Sequence, residues 1–356
     1  MCQMCINMEK KEAFAERIVG MMNDAALTMM ISLGHRTGLY DTMAELPPST
    51  SDEIARAAHL DERYVREWLN AMVVGLIVDY SPENKTYFLP PEHAAWLTRA
   101  ATPNNLAVFT QYIGQMGAVE DRIVESFHNG GGVRYEEFKR FHEIMAEDSG
   151  QTVVPELIDS ILPLAPGLVD RLKQGMDVLD LGCGRGWAMN LLAKAFPESR
   201  FAGYDFSREA IDLADRQAQR NNSDNVRFEV QDAAKLNAVE AFDLIFTFDA
   251  IHDQAEPQKV LNNIHRALRP GGVYLMQDIH SSRDVEKNVD NPMAPLLYTV
   301  STFHCMTVSL ALGGAGLGTM WGEETALEML AVAGFENIER HRLEHDIQNT
   351  FFIMRK

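Results

Sequence analysis

Apolar and polar positions change their rhythm along this chain. From Phe14 to Tyr40 the apolar residues recur at helical spacing, and Gly38 stands near the end, which predicts one helix. LPPSTSDEIARAAHL follows. Ser51 is placed to cap its helix, with Asp52 and Glu53 in the first turn, where the helix dipole favours negative charge. A turn at Asp61 leads into RYVREWLNAMVVGLIVDY, a helix running into a strand, and SPENKTYFLP reads as a hairpin tip returning to a second strand. Helix, turn, helix and a two-stranded wing make a winged-helix pattern over residues 1–100. Residues 101–170 read as helices interrupted at Gly130–Gly132 and around Pro163 and Pro166, either a packing connector or part of a pocket wall.

Past Met176 short apolar runs alternate with helical stretches: DVLDLG, RFAGYDF, VRFEVQDA, FDLIFTFDAI and GGVYLMQDI. That alternation predicts an α/β, Rossmann-like, mostly parallel sheet covered by helices over residues 171–356. The end of the sequence reads as a helix (ETALEMLAVAGF) and two strands (NIERHRLE and NTFFIMRK).

Charge narrows the partners. The formal net charge is -19, and the first hundred residues carry 9 Lys/Arg against 14 Asp/Glu. Such a surface repels phosphate backbones, so no nucleic-acid partner is expected. The winged helix is therefore read as a dimerisation domain ahead of a DNA-binding one, and a homodimer is expected. Cys2, Cys5, Cys183 and Cys305 do not form a disulfide framework. Cys2 and Cys5 make a lone CxxC, read as free thiols, and no metal site is named. The N-terminal stretch lacks the apolar core of a signal peptide, and no uninterrupted apolar run reads as a membrane span. A cytoplasmic protein is expected.

The strongest chemical signal is VLDLGCGRGWAMNLLAKAF, a strand, a glycine turn and a helix. Gly182, Gly184 and Gly186 remove Cβ atoms where the backbone turns tightly and a ligand must lie close. A dinucleotide fingerprint needs a small residue at the last position of GxGxxG/A. That position holds Trp187 or Met189, depending on register, so NAD is excluded, and no Lys-Ser/Thr makes a P-loop. Asp205 ends the next strand, where a carboxylate can accept both hydroxyls of a ribose; capping the following helix is the alternative. Asp232, at the tip of the third strand, can accept from an adenine amino group or act as a cap.

Together VLDLGCGRG, GYDFS, VQDA, FDLIFTFDAIHD and RALRPGGVYLMQD, in that order, resemble the motifs of class I S-adenosylmethionine-dependent methyltransferases. The resemblance implies a seven-stranded sheet with an antiparallel last strand and S-adenosyl-L-methionine as cofactor, and the largely apolar stretch from Arg283 to Trp321 points to a small-molecule methyl acceptor. It implies a cofactor set of Asp180, Gly182, Cys183, Gly184, Gly186, Asp205, Phe206, Asp232, Ala233 and Phe248. The glycine turn would lie against the methionine part with Asp180 behind it, Asp205 would hold the ribose, and Asp232 with Ala233 would flank the adenine. RYVREWLNAMVVGLIV and YFLPPEHAAWLT resemble the winged-helix domain of a bacterial and animal methyltransferase group with uncharacterised mycobacterial members.

His252, in DAIHDQ after the fourth strand, is the candidate catalytic base. Plant small-molecule O-methyltransferases, which also carry an N-terminal winged helix, place a base in a similar His-Asp pair, here His252 and Asp253; the tryptophan that follows there is Gln254 here. Packing or capping is the other reading of His252. His280 and His304 are further pocket candidates. The insert from Arg283 to Trp321 is expected over the carboxyl ends of the strands. A hydroxyl acceptor needs its proton removed, while a thiol ionises more readily. The alternative function is a transcriptional regulator that senses S-adenosylmethionine.

Overall fold

The computed structural model describes residues 6–356, so the Cys2–Cys5 pair lies outside the described residues. The chain divides into two compact units, with the boundary between Gly117 and Ala118.

In the first unit, α1 (Met8–Thr37) ends at Gly38, whose φ of 74° closes the C-cap, and α2 (Leu39–Glu45) restarts at once. The apolar spacing read as one helix to Tyr40 thus spans two, because Gly38 takes the left-handed conformation and breaks the ladder. Thr50, not Ser51, caps α3 (Ser51–Ala58). Its side chain accepts from the Glu53 N–H while the Glu53 carboxylate accepts from the Thr50 N–H, a capping box that puts Ser51 at the first helical position. Asp61 caps α4 (Glu62–Val74), whose buried face is Val65, Trp68, Leu69 and Met72. The wing is β1 (Asp79–Ser81) paired antiparallel with β2 (Thr86–Phe88). The unit closes with α5 (Pro91–Leu97) and α6 (Gln111–Gly117) around a core centred on Tyr40, Ile54, Leu69 and Met72. α1 is apolar on more than one face, so Phe14, Val19 and Met22 remain exposed.

The second unit opens with α7 (Glu120–Asn129), α8 (Phe141–Thr152) and α9 (Leu168–Gln174). The sheet then follows: β3 (Asp177–Leu181), α10 (Trp187–Ala195), β4 (Arg200–Asp205), α11 (Arg208–Asn221), β5 (Val226–Val230), β6 (Phe242–Phe248), α12 (Pro257–Ala267) and β7 (Leu268–Ile279). The insert folds as α13 (Ala294–Val300), a wide turn at Ser301–Cys305 and α14 (Met306–Ala311). The last elements are α15 (Glu323–Val332), β8 (Glu336–Leu343) and β9 (Asp346–Arg355). The strand order is β5-β4-β3-β6-β7-β9-β8, all parallel except β9, which runs antiparallel to β7 and β8. Apolar residues bury both faces, as a parallel sheet covered on two sides requires. The order reverses direction between β3 and β6, and the crevice beyond their carboxyl ends is where such sheets bind ligands. Among the described residues, no helix is long and apolar enough to cross a membrane.

Candidate active site

At the tip of β3 the chain turns at Gly182 (φ 87°), and Gly186 (φ 68°) caps α10. A Cβ on Gly186 would stand 2.5 Å from the Phe228 ring, and one on Gly182 would stand 2.7 Å from Ala250 Cβ, while the same position on Gly184 meets nothing within 4 Å. The turn is therefore packed behind and open in front. Its backbone is tied to β4: Gly182 and Cys183 N–H groups donate to the Tyr204 carbonyl (2.8 and 3.1 Å). The buried Asp205 carboxylate accepts from the Gly184 N–H (2.9 Å) and the Ser207 N–H (2.8 Å). Ser207, not Asp205, caps α11.

Asp180 lies under the turn, 2% exposed, and its Oδ1 has no hydrogen-bond partner. Burial, then the nearby Asp205, push its pKa up to about 8. Burial likewise raises Asp205, and it raises the Cys183 thiol, with Asp180 and Asp205 adding to the effect on Cys183. A buried acid without a partner, beside an open turn, suits a cationic ligand group. Asp232 caps the turn at 233–235 through the Ala234 N–H (2.9 Å) and pairs with Lys235 (3.1 Å). Phe248 ends β6, its ring stacked on Phe246 with centroids 5.4 Å apart.

Across the crevice His252 is 3% exposed, and its Nδ1 lies 2.8 Å from Asp278 Oδ1. An ionised carboxylate only accepts, so Nδ1 carries a proton, and in the neutral form of the ring the lone pair sits on Nε2. Asp278 also accepts from Trp321 Nε1 (3.0 Å) and the Ile279 N–H (2.8 Å). Burial disfavours the imidazolium, but Asp278 and the Cys305 thiol outweigh it and hold the His252 pKa well above its usual value. Asp253, the partner expected from the adjacent position, instead accepts from Gln254 Nε2 (3.2 Å). The carboxylate that orients His252 comes from the end of β7, a pairing across neighbouring strands that sequence adjacency cannot show.

Residues 172–329 match a family described as "Methyltransferase domain", and residues 25–99 match one described as "Rv2258c-like winged HTH domain". Residues 172–329 of the second unit are thus similar to methyltransferase domains. Malonyl-[acyl-carrier protein] O-methyltransferase of Bacillus cereus is 26% identical over 186 residues, 49% of this chain and 62% of that protein. The chain thus spans less than two thirds of that relative. Among solved structures, mitomycin 7-O-methyltransferase superposes with a TM-score of 0.71 at 16% identity, covering 98% of this chain and 100% of the other. Human N-acetylserotonin methyltransferase, solved with its cofactor SAM, gives 0.65 at 17% identity, covering 100% and 99%. At that identity these two establish the fold.

Within the second unit an aromatic shell lies beside the crevice. His304 stacks on Phe141 (centroids 3.5 Å apart, 8° between planes) and meets the edges of Tyr135 and Phe138. Tyr135 also meets Phe206, the residue after Asp205, edge-on at 4.7 Å. Burial holds the His304 pKa well below its usual value, and neither ring nitrogen has a hydrogen-bond partner. The insert reaches the His252 loop directly: Gly318 N–H donates to the His252 carbonyl (3.1 Å) and Ser309 Oγ to the Gln254 carbonyl (2.8 Å). His280 belongs elsewhere. It pairs with Glu323 (2.6 Å) on the wall of a separate cavity of ≈430 Å³. Sequence reasoning missed Asp278 and Tyr135. MQDI and the aromatic spacing of 135–142 were visible, but which residues meet depends on the folded sheet.

Proposed function

We propose that this chain transfers a methyl group from S-adenosyl-L-methionine to a hydroxyl of a small molecule, with His252 as general base. The observation that carries the reading is the buried His252–Asp278 pair at the tips of β6 and β7, beside the open glycine turn. O-methylation is the reaction named for the Bacillus cereus relative and for mitomycin 7-O-methyltransferase.

The residues present fit the cofactor. Gly182, Cys183, Gly184 and Gly186 offer a backbone cradle with open space at Gly184, and the unpaired Asp180 Oδ1 awaits a cationic group. Asp205 and Phe206 would hold the ribose side, and Asp232, Ala233 and Phe248 the base. S-adenosylmethionine supplies an electrophilic methyl on a sulfonium. The rest is positioning and proton transfer. His252 Nε2 would take the proton of the acceptor hydroxyl, and Asp278 would stabilise the imidazolium that forms. The aromatic shell of Tyr135, Phe141 and His304 keeps water from the reacting groups.

We further propose a cytoplasmic homodimer formed through the first unit, whose α1 leaves Phe14 and Met22 exposed. The net charge of -19 favours a small-molecule partner over a nucleic acid. The regulator reading loses ground because the glycine turn is intact and open. The test is an acceptor screen with methyl-labelled cofactor against phenols, aliphatic alcohols, thiols and amines, followed by mass spectrometry. An O-methyl product supports the proposal; label confined to thiols or amines, or salt-sensitive binding to duplex DNA without turnover, overturns it.

A further inference from the structure

We propose that Asp249, His252 and Asp278 form a binding site for a divalent transition-metal ion, and that filling it switches off the base. Two chain segments converge here, the loop after β6 and the end of β7. Asp249 follows β6 directly, its N–H donating to the Gln277 carbonyl of the neighbouring strand (3.0 Å), which sets it beside Asp278. His252 lies three residues on. One ligand atom from each of the three lies within 4.8 Å of the others. Metal–ligand bonds of about 2.0–2.2 Å put ligand atoms roughly 3.2–4.3 Å apart, so the site needs a contraction of less than about 2 Å at its widest pair.

Two observations set this cluster apart from an ordinary acidic surface. Asp278 is 1% exposed, with Oδ1 taken up by His252, Trp321 and its neighbour's N–H, yet its Oδ2 has no partner. Asp249 Oδ1 is buried and equally unpartnered. Buried carboxylate oxygens left without a donor are costly, and a cation is the group that satisfies both at once. Two carboxylates and one neutral imidazole balance a dication, and a mixed nitrogen and oxygen set suits Zn²⁺, Co²⁺ or Mn²⁺ better than Mg²⁺. The switch follows from the lone pair. An imidazole bound to a metal has none left to accept the acceptor's proton. This half rests on His252 acting as base; the binding half does not.

The experiment uses the full chain carrying Cys2→Ser and Cys5→Ser, so that the N-terminal thiols do not compete. After chelator treatment, Zn²⁺ is titrated by calorimetry and Co²⁺ by visible absorption. We expect one ion per chain, with affinity at least about tenfold weaker in Asp249→Asn, since a ligand is removed. Asp249 has a φ of 49°, a conformation asparagine adopts readily, so this variant should fold. His252→Ala should weaken binding as well. One equivalent of Zn²⁺ should lower methyl transfer at least about tenfold, and a chelator should restore it. Absence of saturable binding, or wild-type affinity in both variants, overturns the site whatever the acceptor screen finds. Binding with undiminished turnover overturns the switch.

Discussion

At the β3–β4 end of the crevice, residues 182–186 are consecutive, and their partner Asp205 lies one strand–helix–strand unit away, held by backbone N–H groups. At the β6–β7 end, His252, Asp278 and Cys305 come from three segments, and the shell adds Tyr135 and Phe141 from a fourth. One end is made of backbone within a local motif; the other is made of side chains that only the finished fold brings together. A backbone cradle tolerates side-chain drift and suits a ligand that never changes. A side-chain cluster can be rebuilt one residue at a time, and suits a ligand that varies.

If the ends divide labour in this way, variants should separate them. The largest effect should come from His252→Ala, which should lower turnover on a hydroxyl acceptor by about 10²–10⁴, the usual worth of positioned proton transfer. Affinity for S-adenosylhomocysteine should stay within about twofold by calorimetry. A parallel loss of cofactor affinity would show that His252 supports both ends.

Asp278→Asn probes the same end through pH. His252 accepts a proton only when neutral, so turnover should rise as pH climbs through its elevated pKa. Asparagine removes the negative charge that favours the imidazolium. The limb should move to lower pH and the plateau should drop by at least about tenfold, read from a pH–rate profile. An unmoved limb breaks the pairing of these two residues in catalysis.

Asp205→Ala tests the other end. Charge-assisted hydrogen bonds are worth about 1.5–3 kcal/mol each, so cofactor affinity should fall by about tenfold or more. Turnover at saturating cofactor should change less.

Asp180 is tested through pH. Its pKa of about 8 means that it is mostly protonated at neutral pH without ligand. A cationic cofactor group binds the ionised form, so affinity should rise towards pH 8, by at most about tenfold per unit, and then level off. Asp180→Asn should flatten that dependence. A wild-type affinity constant from pH 6 to 8.5 would remove Asp180 from the cradle.

The same contrast explains what could be read before the structure. The alternation of short apolar runs with helices predicted the sheet, and the sheet follows it strand for strand from β3 to β9. The glycine turn and Asp205 were legible because their geometry is encoded within some twenty-five residues. His252 was legible by position, but its partner was not: Asp253 is adjacent in sequence, whereas Asp278 is adjacent in the sheet. Ser51 and Thr50 show the limit on a finer scale. Both can cap a helix, and the choice fell to the residue that places Glu53 at the third helical position.

The contact between Gly182 and Ala250 joins the two ends. A Cβ at 182 would press on Ala250, which stands between Asp249 and His252. In evolutionary terms the two positions form an epistatic pair. Alanine at 182 carries a steric cost that glycine at 250 can relieve, and a backbone cost at φ 87° that it cannot. A double-mutant cycle across them should therefore be non-additive. Drift in the cradle is conditional on the loop that carries His252, so a chain free to change its side-chain cluster is not free to change its turn.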